Sequence, residues 1–218
     1  MIVDSMTHEE VYQELERDRE SITRWYYHQM RAQRRRIVKC QRFPLRLWFD
    51  HTSPRKVRYL INTVVYEKKG AFMCAIYALR PATDGTAVYV SWTTGGSEVK
   101  PMVHLPHQIK RYAERMNVDK TGIDLIKHFL ERCPDGQDNK NQDIVGRSVR
   151  YNGEVHLSCC IPDGVLLGQM DGNIYVARTF ITYDMCSEEQ LEAFEKERSK
   201  IVTGIDYYKE ALARRLGI

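Results

Sequence analysis

Between Thr7 and Val38 the chain has neither Pro nor Gly, and Tyr12, Leu15, Ile22, Trp25, Tyr26, Met30 and Ile37 recur at three-to-four spacing. That period predicts one long helix with a single packed face. Thr7 followed by Glu10 has the spacing of a capping box, which places the helix start.

After Arg42 the period changes. FPLRLWFD, VRYLINTVVYEKK, AFMCAIYAL and TAVYVSW are rich in branched and aromatic residues and are parted by SPRK, KKG and PATDG, which predicts a meander of strands. A second helix is expected from Pro106, which suits a first helical turn, with Leu105, Ile109, Tyr112 and Met116 on its apolar arc. A third runs from Gly122 or Ile123 to Cys133, where Cys133-Pro134-Asp135-Gly136 stops it. The polar stretch PDGQDNKNQD then reads as a loop or lid.

SVRYNGEVHLSCCI, GVLLGQM and GNIYVARTFITYDM predict three more antiparallel strands, turning at Asp163-Gly164 and Asp171-Gly172. In the last of them, strict alternation puts Ile174, Val176, Arg178 and Phe180 on one side. Ser187 with Glu188, Glu189 and Gln190 behind it caps a final helix that continues toward residue 218, with a break near Thr203-Gly204. The elements add up to an α+β fold with antiparallel sheet, a long N-terminal helix, two central helices and C-terminal helices. Residues 1–218 form a single α+β unit in this reading, with a division into sheet-forming halves 1–100 and 101–218 left open.

Composition agrees with a packed core: 218 residues, 43% of them hydrophobic, exclude a disordered or collagen-like chain. No apolar run approaches the roughly 20 residues of a membrane span, so no membrane contact is expected. The acidic N-terminus MIVDSMTHEE does not resemble a secretory signal, which predicts a cytoplasmic protein. Six cysteines without a CxxC pair suggest reduced, packed thiols.

The net charge of +4 conceals a polarised distribution. Residues 1–30 hold three Arg against seven acidic residues, whereas residues 31–58 hold ten Lys or Arg against Asp50 alone. Such a block suits an anionic polymer. Arg34, Arg35, Lys39, Arg42, Arg55, Lys56 and Arg58, with the more distant Arg178, are the expected phosphate contacts. The same late-helix cations also suit a solvated helix end favoured by the dipole. RNA is favoured as the partner because Trp48, Tyr59, Tyr66, Tyr77, Tyr89 and Trp92 interleave with the basic residues, and rings can stack on exposed bases. Filling of an antiparallel sheet explains the same rings, and only a cluster of exposed ones decides for stacking.

Catalytic chemistry has one candidate. On the second helix His107, Arg111 and Arg115 recur every four residues and form a slanted polar stripe. Two guanidiniums can hold a phosphate while an imidazole moves a proton, the requirements of a metal-independent ribonuclease. Pairing of Arg111 or Arg115 with Glu114 is the structural alternative. His156 and Ser158 share a strand face and offer a further hydrogen-bonding pair. No dinucleotide fingerprint or P-loop is present, and the spacing of His104, His107, His128, His156, Cys159 and Cys160 matches no familiar zinc site, so no cofactor or metal is expected.

The helix bearing His107, Arg111 and Arg115, the next helix, and the strands bearing Arg150, Tyr151 and Arg178 resemble the small α+β fold of RelE-like ribonuclease toxins over roughly residues 101–183. The resemblance implies metal-free action on RNA by cationic and histidine or tyrosine groups. The long N-terminal helix, the preceding strands and the C-terminal helix depart from a minimal toxin. The competing expectation is a non-catalytic protein-interaction or structural domain, grounded in the amphipathic helices at both ends.

Overall fold

A computed structural model describes residues 2–3, 5–69, 72–94, 101–133, 145–151 and 153–198. Its centre is a nine-stranded sheet in the order β1-β2-β3-β4-β5-β9-β8-β7-β6. The strands are β1 (Leu45–Thr52), β2 (Arg58–Val65), β3 (Phe72–Ala82), β4 (Gly85–Thr94), β5 (Met102–His104), β6 (Val145–Tyr151), β7 (Glu154–Ile161), β8 (Gly164–Asp171) and β9 (Ile174–Ile181). Two antiparallel meanders, β1–β4 and β6–β9, meet at the three-residue β5, which pairs antiparallel with β4 and parallel with β9. The helices are α1 (His8–Lys39), α2 (Pro106–Arg115), α3 (Gly122–Arg132) and α4 (Glu188–Arg198).

Helix α1 starts at Thr7, whose side chain accepts from the Glu10 amide while Glu10 reaches back to the Thr7 amide at 2.7 Å. This is the capping box expected from the sequence. Its buried stripe, Val11, Leu15, Ile22, Tyr26, Met30 and Ile37, joins Tyr59, Ile61, Ile76, Tyr89 and Val176 in one core on one sheet face. Each fully buried aliphatic or aromatic side chain contributes on the order of 2 kcal/mol. The opposite face is covered by α2 and α3, whose Ile109, Tyr112, Ile126, Phe129 and Leu130 pack against Leu60, Tyr77, Val90, Tyr175 and Phe180. Helix α4, capped reciprocally by Ser187 and Gln190, buries Phe194 against Val165, Leu167 and Ile181.

Three details differ from the sequence reading. SVRYNGEVHLSCCI is two strands, β6 and β7, because Gly153 at φ +83° turns the chain inside it. The short β5 had no recognisable run. In β9 the alternation breaks: β8 and β9 slip register between Leu167 and Gly168, opposite Arg178. The extra residue shifts the phase, so Phe180 lies on the α2/α3 face with Tyr175 while Ile174 and Val176 lie under α1. The expected lid at 134–143 and the helix beyond residue 198 lie outside the described residues.

Candidate nucleic-acid interface

Helix α1 crosses the sheet and then overshoots it. Asp18 receives the Tyr59 hydroxyl at 3.1 Å, and the Tyr26 hydroxyl lies 3.2 Å from Thr63 Oγ1, so two contacts fix the helix along β2. Eight helical residues rise about 12 Å, and the four strand residues they follow cover about 13 Å. The helix therefore runs nearly along the strand. Beyond Tyr26 it continues for about 20 Å to Lys39, whereas β2 ends at Val65, about 7 Å past Thr63. The last turns continue past the end of the strand with one side still packed, since Ile37 remains buried in the core where Phe43 and Leu45 also pack.

Those turns carry Arg31, Arg34, Arg35, Arg36 and Lys39, all exposed, with exposed Arg42 just after. At about 100° per residue they cover an arc of roughly 200°, opposite the buried Met30 and Ile37. None of the six forms an ion pair among the described residues.

Most other arginines are engaged. Arg17, Arg19 and Arg24 pair with Glu14, Glu16 and Glu20 along the acidic half of α1. Arg55 reaches Glu14 at 3.4 Å and the buried Asp18 at 3.5 Å, tying the β1–β2 turn to the helix. Arg58 forks Asp50 at 3.0 and 2.6 Å, and this hydrogen bonding holds the Asp50 carboxyl below its usual range. Strand β1, about 25 Å long, separates Arg42 from Arg55, Lys56 and Arg58. The basic block contiguous in sequence is thus divided between two ends of the sheet. Lys56 is exposed at the turn.

The α2 stripe is only partly open. His107 and Arg111 are exposed, with Arg111 Nε 3.4 Å from His107 Nε2 and its Nη1 2.8 Å from Glu114. Arg115 turns inward and donates to the carbonyl of Phe180 on β9. One member of the stripe therefore fastens the helix to the sheet. Arg178 is exposed at the bulge. His156 and Ser158 are buried, with Glu154 3.7 Å from the imidazole. The side chain of Tyr151 lies outside the described residues.

Two polar networks escaped the sequence reading. Asp163, at the β7–β8 turn, accepts the Tyr112 hydroxyl at 2.8 Å and a fork from Arg132, including a contact at 2.9 Å, joining α2, α3 and the hairpin. Burial pushes the Asp163 carboxyl up, but these donors more than reverse it and leave its pKa below the ordinary value. At the start of α1, the Tyr89 hydroxyl lies 2.9 Å from His8 Nδ1 and 3.1 Å from Arg80, which also holds the carbonyls of Val3 and Met6. Burial lowers the His8 pKa. Helix capping patterns reveal neither network, because the partners lie on different elements, 9 to 81 residues apart.

The rings proposed for stacking are mostly inside. Tyr59, Tyr66, Tyr77, Tyr89 and Trp92 are buried, and Trp48 is half-buried with its indole donating to Glu131 at 2.8 Å. They fill the sheet. Among the described residues no three His, Cys, Asp or Glu side chains gather as a metal site, and no helix is long and apolar enough to cross a membrane. Comparison of the chain with models of known families, with curated proteins and with solved structures finds no match. The functional reading therefore rests on the geometry.

Proposed function

We propose that the protein binds nucleic acid through the basic end of α1, as a phosphate-contacting module without cleavage. The observation that carries this reading is the contrast in pairing. Most arginines over the sheet, Arg150 and Arg178 excepted, are matched by carboxylates or carbonyls, while Arg31, Arg34, Arg35, Arg36, Lys39 and Arg42 form a contiguous group that stands exposed and unmatched among the described residues. Clustered cations without carboxylates attract a polyanion and release its counterions on contact. Cleavage at His107 is not favoured. A phosphate there would have to displace Glu114 from Arg111, and Arg115 is already committed to Phe180.

Labelled single-stranded RNA, single-stranded DNA and duplex DNA, titrated across a salt series with product length read in parallel, test the proposal. On duplex, engagement of five or six phosphates gives a slope of about −5 in log K against log salt. Arg34→Ala with Arg35→Ala reduces that slope by about 2, and the nucleic acid stays intact. Salt-insensitive binding, or full affinity after these changes, overturns the reading. Strand scission lost on His107→Ala would instead establish the ribonuclease expectation.

A further inference from the structure

The side of α1 that bears Arg31 and Arg34 continues toward the N-terminus as an open groove of about 470 Å³, whose described lining is Glu16, Arg19, Glu20, Thr23, Arg24 and Tyr27. All six lie along one face of α1, so the site is a shallow, open surface and not an enclosed cavity. At about 100° per residue, Tyr27, Arg31, Arg34 and Val38 fall within roughly 60° of one another around the helix. Groove and basic end therefore form one strip.

Among the described residues Tyr27 stands apart from the other tyrosine, tryptophan and phenylalanine rings. It is 45% exposed, while its neighbour Tyr26 is fully buried and abuts it at 5.5 Å between ring centroids. The two rings meet at 52°, so the fixed Tyr26 abuts Tyr27 at an angle without lying flat behind it. Arg31 follows one turn later, about 6 Å along the axis, within reach of a phosphate attached to whatever lies on the ring.

The rest of the lining is polar and charge-balanced, two glutamates against two arginines. Glu16 and Glu20 are held by Arg19 at 3.1 Å and Arg24 at 2.6 Å, and Thr23 follows in the same lining. Carboxylates accept hydrogen bonds from exocyclic amino groups of bases. The helix thus offers acceptors beside the ring and cations beyond it, in the order in which a nucleotide presents base and phosphate.

We infer that the groove on α1 takes an unpaired base of single-stranded nucleic acid, stacked on Tyr27, with the adjoining phosphates on Arg31 and Arg34. This rests on the nucleic-acid reading above and adds to it a preference for unpaired strands. Duplex bases remain stacked on each other and cannot enter. RNA and DNA strands both supply the required base and phosphate.

Fluorescence anisotropy tests this with four probes of equal length: a mixed-sequence single-stranded RNA, the matching DNA, the same DNA backbone with abasic sites, and the duplex. The unmodified protein is expected to bind both intact single strands more tightly than the abasic strand. Tyr27→Ala weakens the intact strands by about tenfold, in line with loss of one base–ring stack. Tyr27→Phe keeps the affinity, and neither change alters binding of the abasic strand or the duplex. Equal affinity for intact and abasic strands, or an indifferent Tyr27→Ala, overturns the inference. If Arg34→Ala with Arg35→Ala still lowers the salt slope by about 2 in that case, the phosphate-binding reading survives alone. Absence of binding to every probe overturns both.

Discussion

A charged side chain in this protein is informative through the partner it has or lacks, and Asp163 shows how much one can hold. Its side chain is 5% exposed and receives donors from α2 and α3 at the tip of a β-hairpin. Asp163→Asn keeps the shape but loses the charge-assisted fork, and is expected to lower stability by about 2 kcal/mol in chemical denaturation. The pH dependence has a definite sign. Because the folded pKa lies below the unfolded one, this carboxylate stabilises the fold above the ordinary Asp range, and the contribution fades as acid protonates it. The variant should show a flatter loss of stability below about pH 4 than the parent. A parallel acid limb in both proteins would contradict the assignment. Residues whose partners lie three or four positions away were legible beforehand, as with Thr7 and Glu10 or Arg111 and Glu114. Asp163 and Arg132 were not, since only the packed hairpin brings them together.

Elements were legible where a period persisted long enough. Helix α1, the β1–β4 meander and the turns around β8 followed from spacing alone, whereas β5 has three residues and offers no period at all. Strand β9 misled the reading because a bulge adds a residue without leaving a compositional mark on its own strand. The mark is on the neighbour. At Gly168 a Cβ would sit 2.2 Å from the Val176 carbonyl oxygen and 2.9 Å from the Tyr175 ring. Gly168→Ala is therefore expected to force β8 and β9 apart at the bulge and cost about 2 kcal/mol or more, seen as a depressed melting temperature. Gly172→Ala, at φ +60° in open space, carries only backbone strain of about 1 kcal/mol. Equal shifts for the two would place the strain in the turn and not in the strand.

For the whole molecule, composition revealed an excess of cations in residues 31–58 but not their arrangement. The direction of β1 divides them, and helix length carries one group past the end of β2 while carboxylates claim the arginines of the other. Aromatic content was equally ambiguous until burial separated Tyr27 from the rest. The meeting of the meanders has a consequence in time. Within each meander, strands adjacent in sequence pair with one another, so little chain entropy is lost in closing them. Strand β5 finds β9 only after about 70 residues have been looped out, and just three residue pairs reward that step. Refolding should assemble the two meanders as separate cooperative units and zip the seam afterwards. Pulse-labelled hydrogen exchange is expected to protect the amides of Ile61 and Leu166 before that of Val103, and simultaneous protection would contradict this order. With so few pairs of its own, the seam is held closed chiefly by the helices on either side, which act as clasps across two half-sheets.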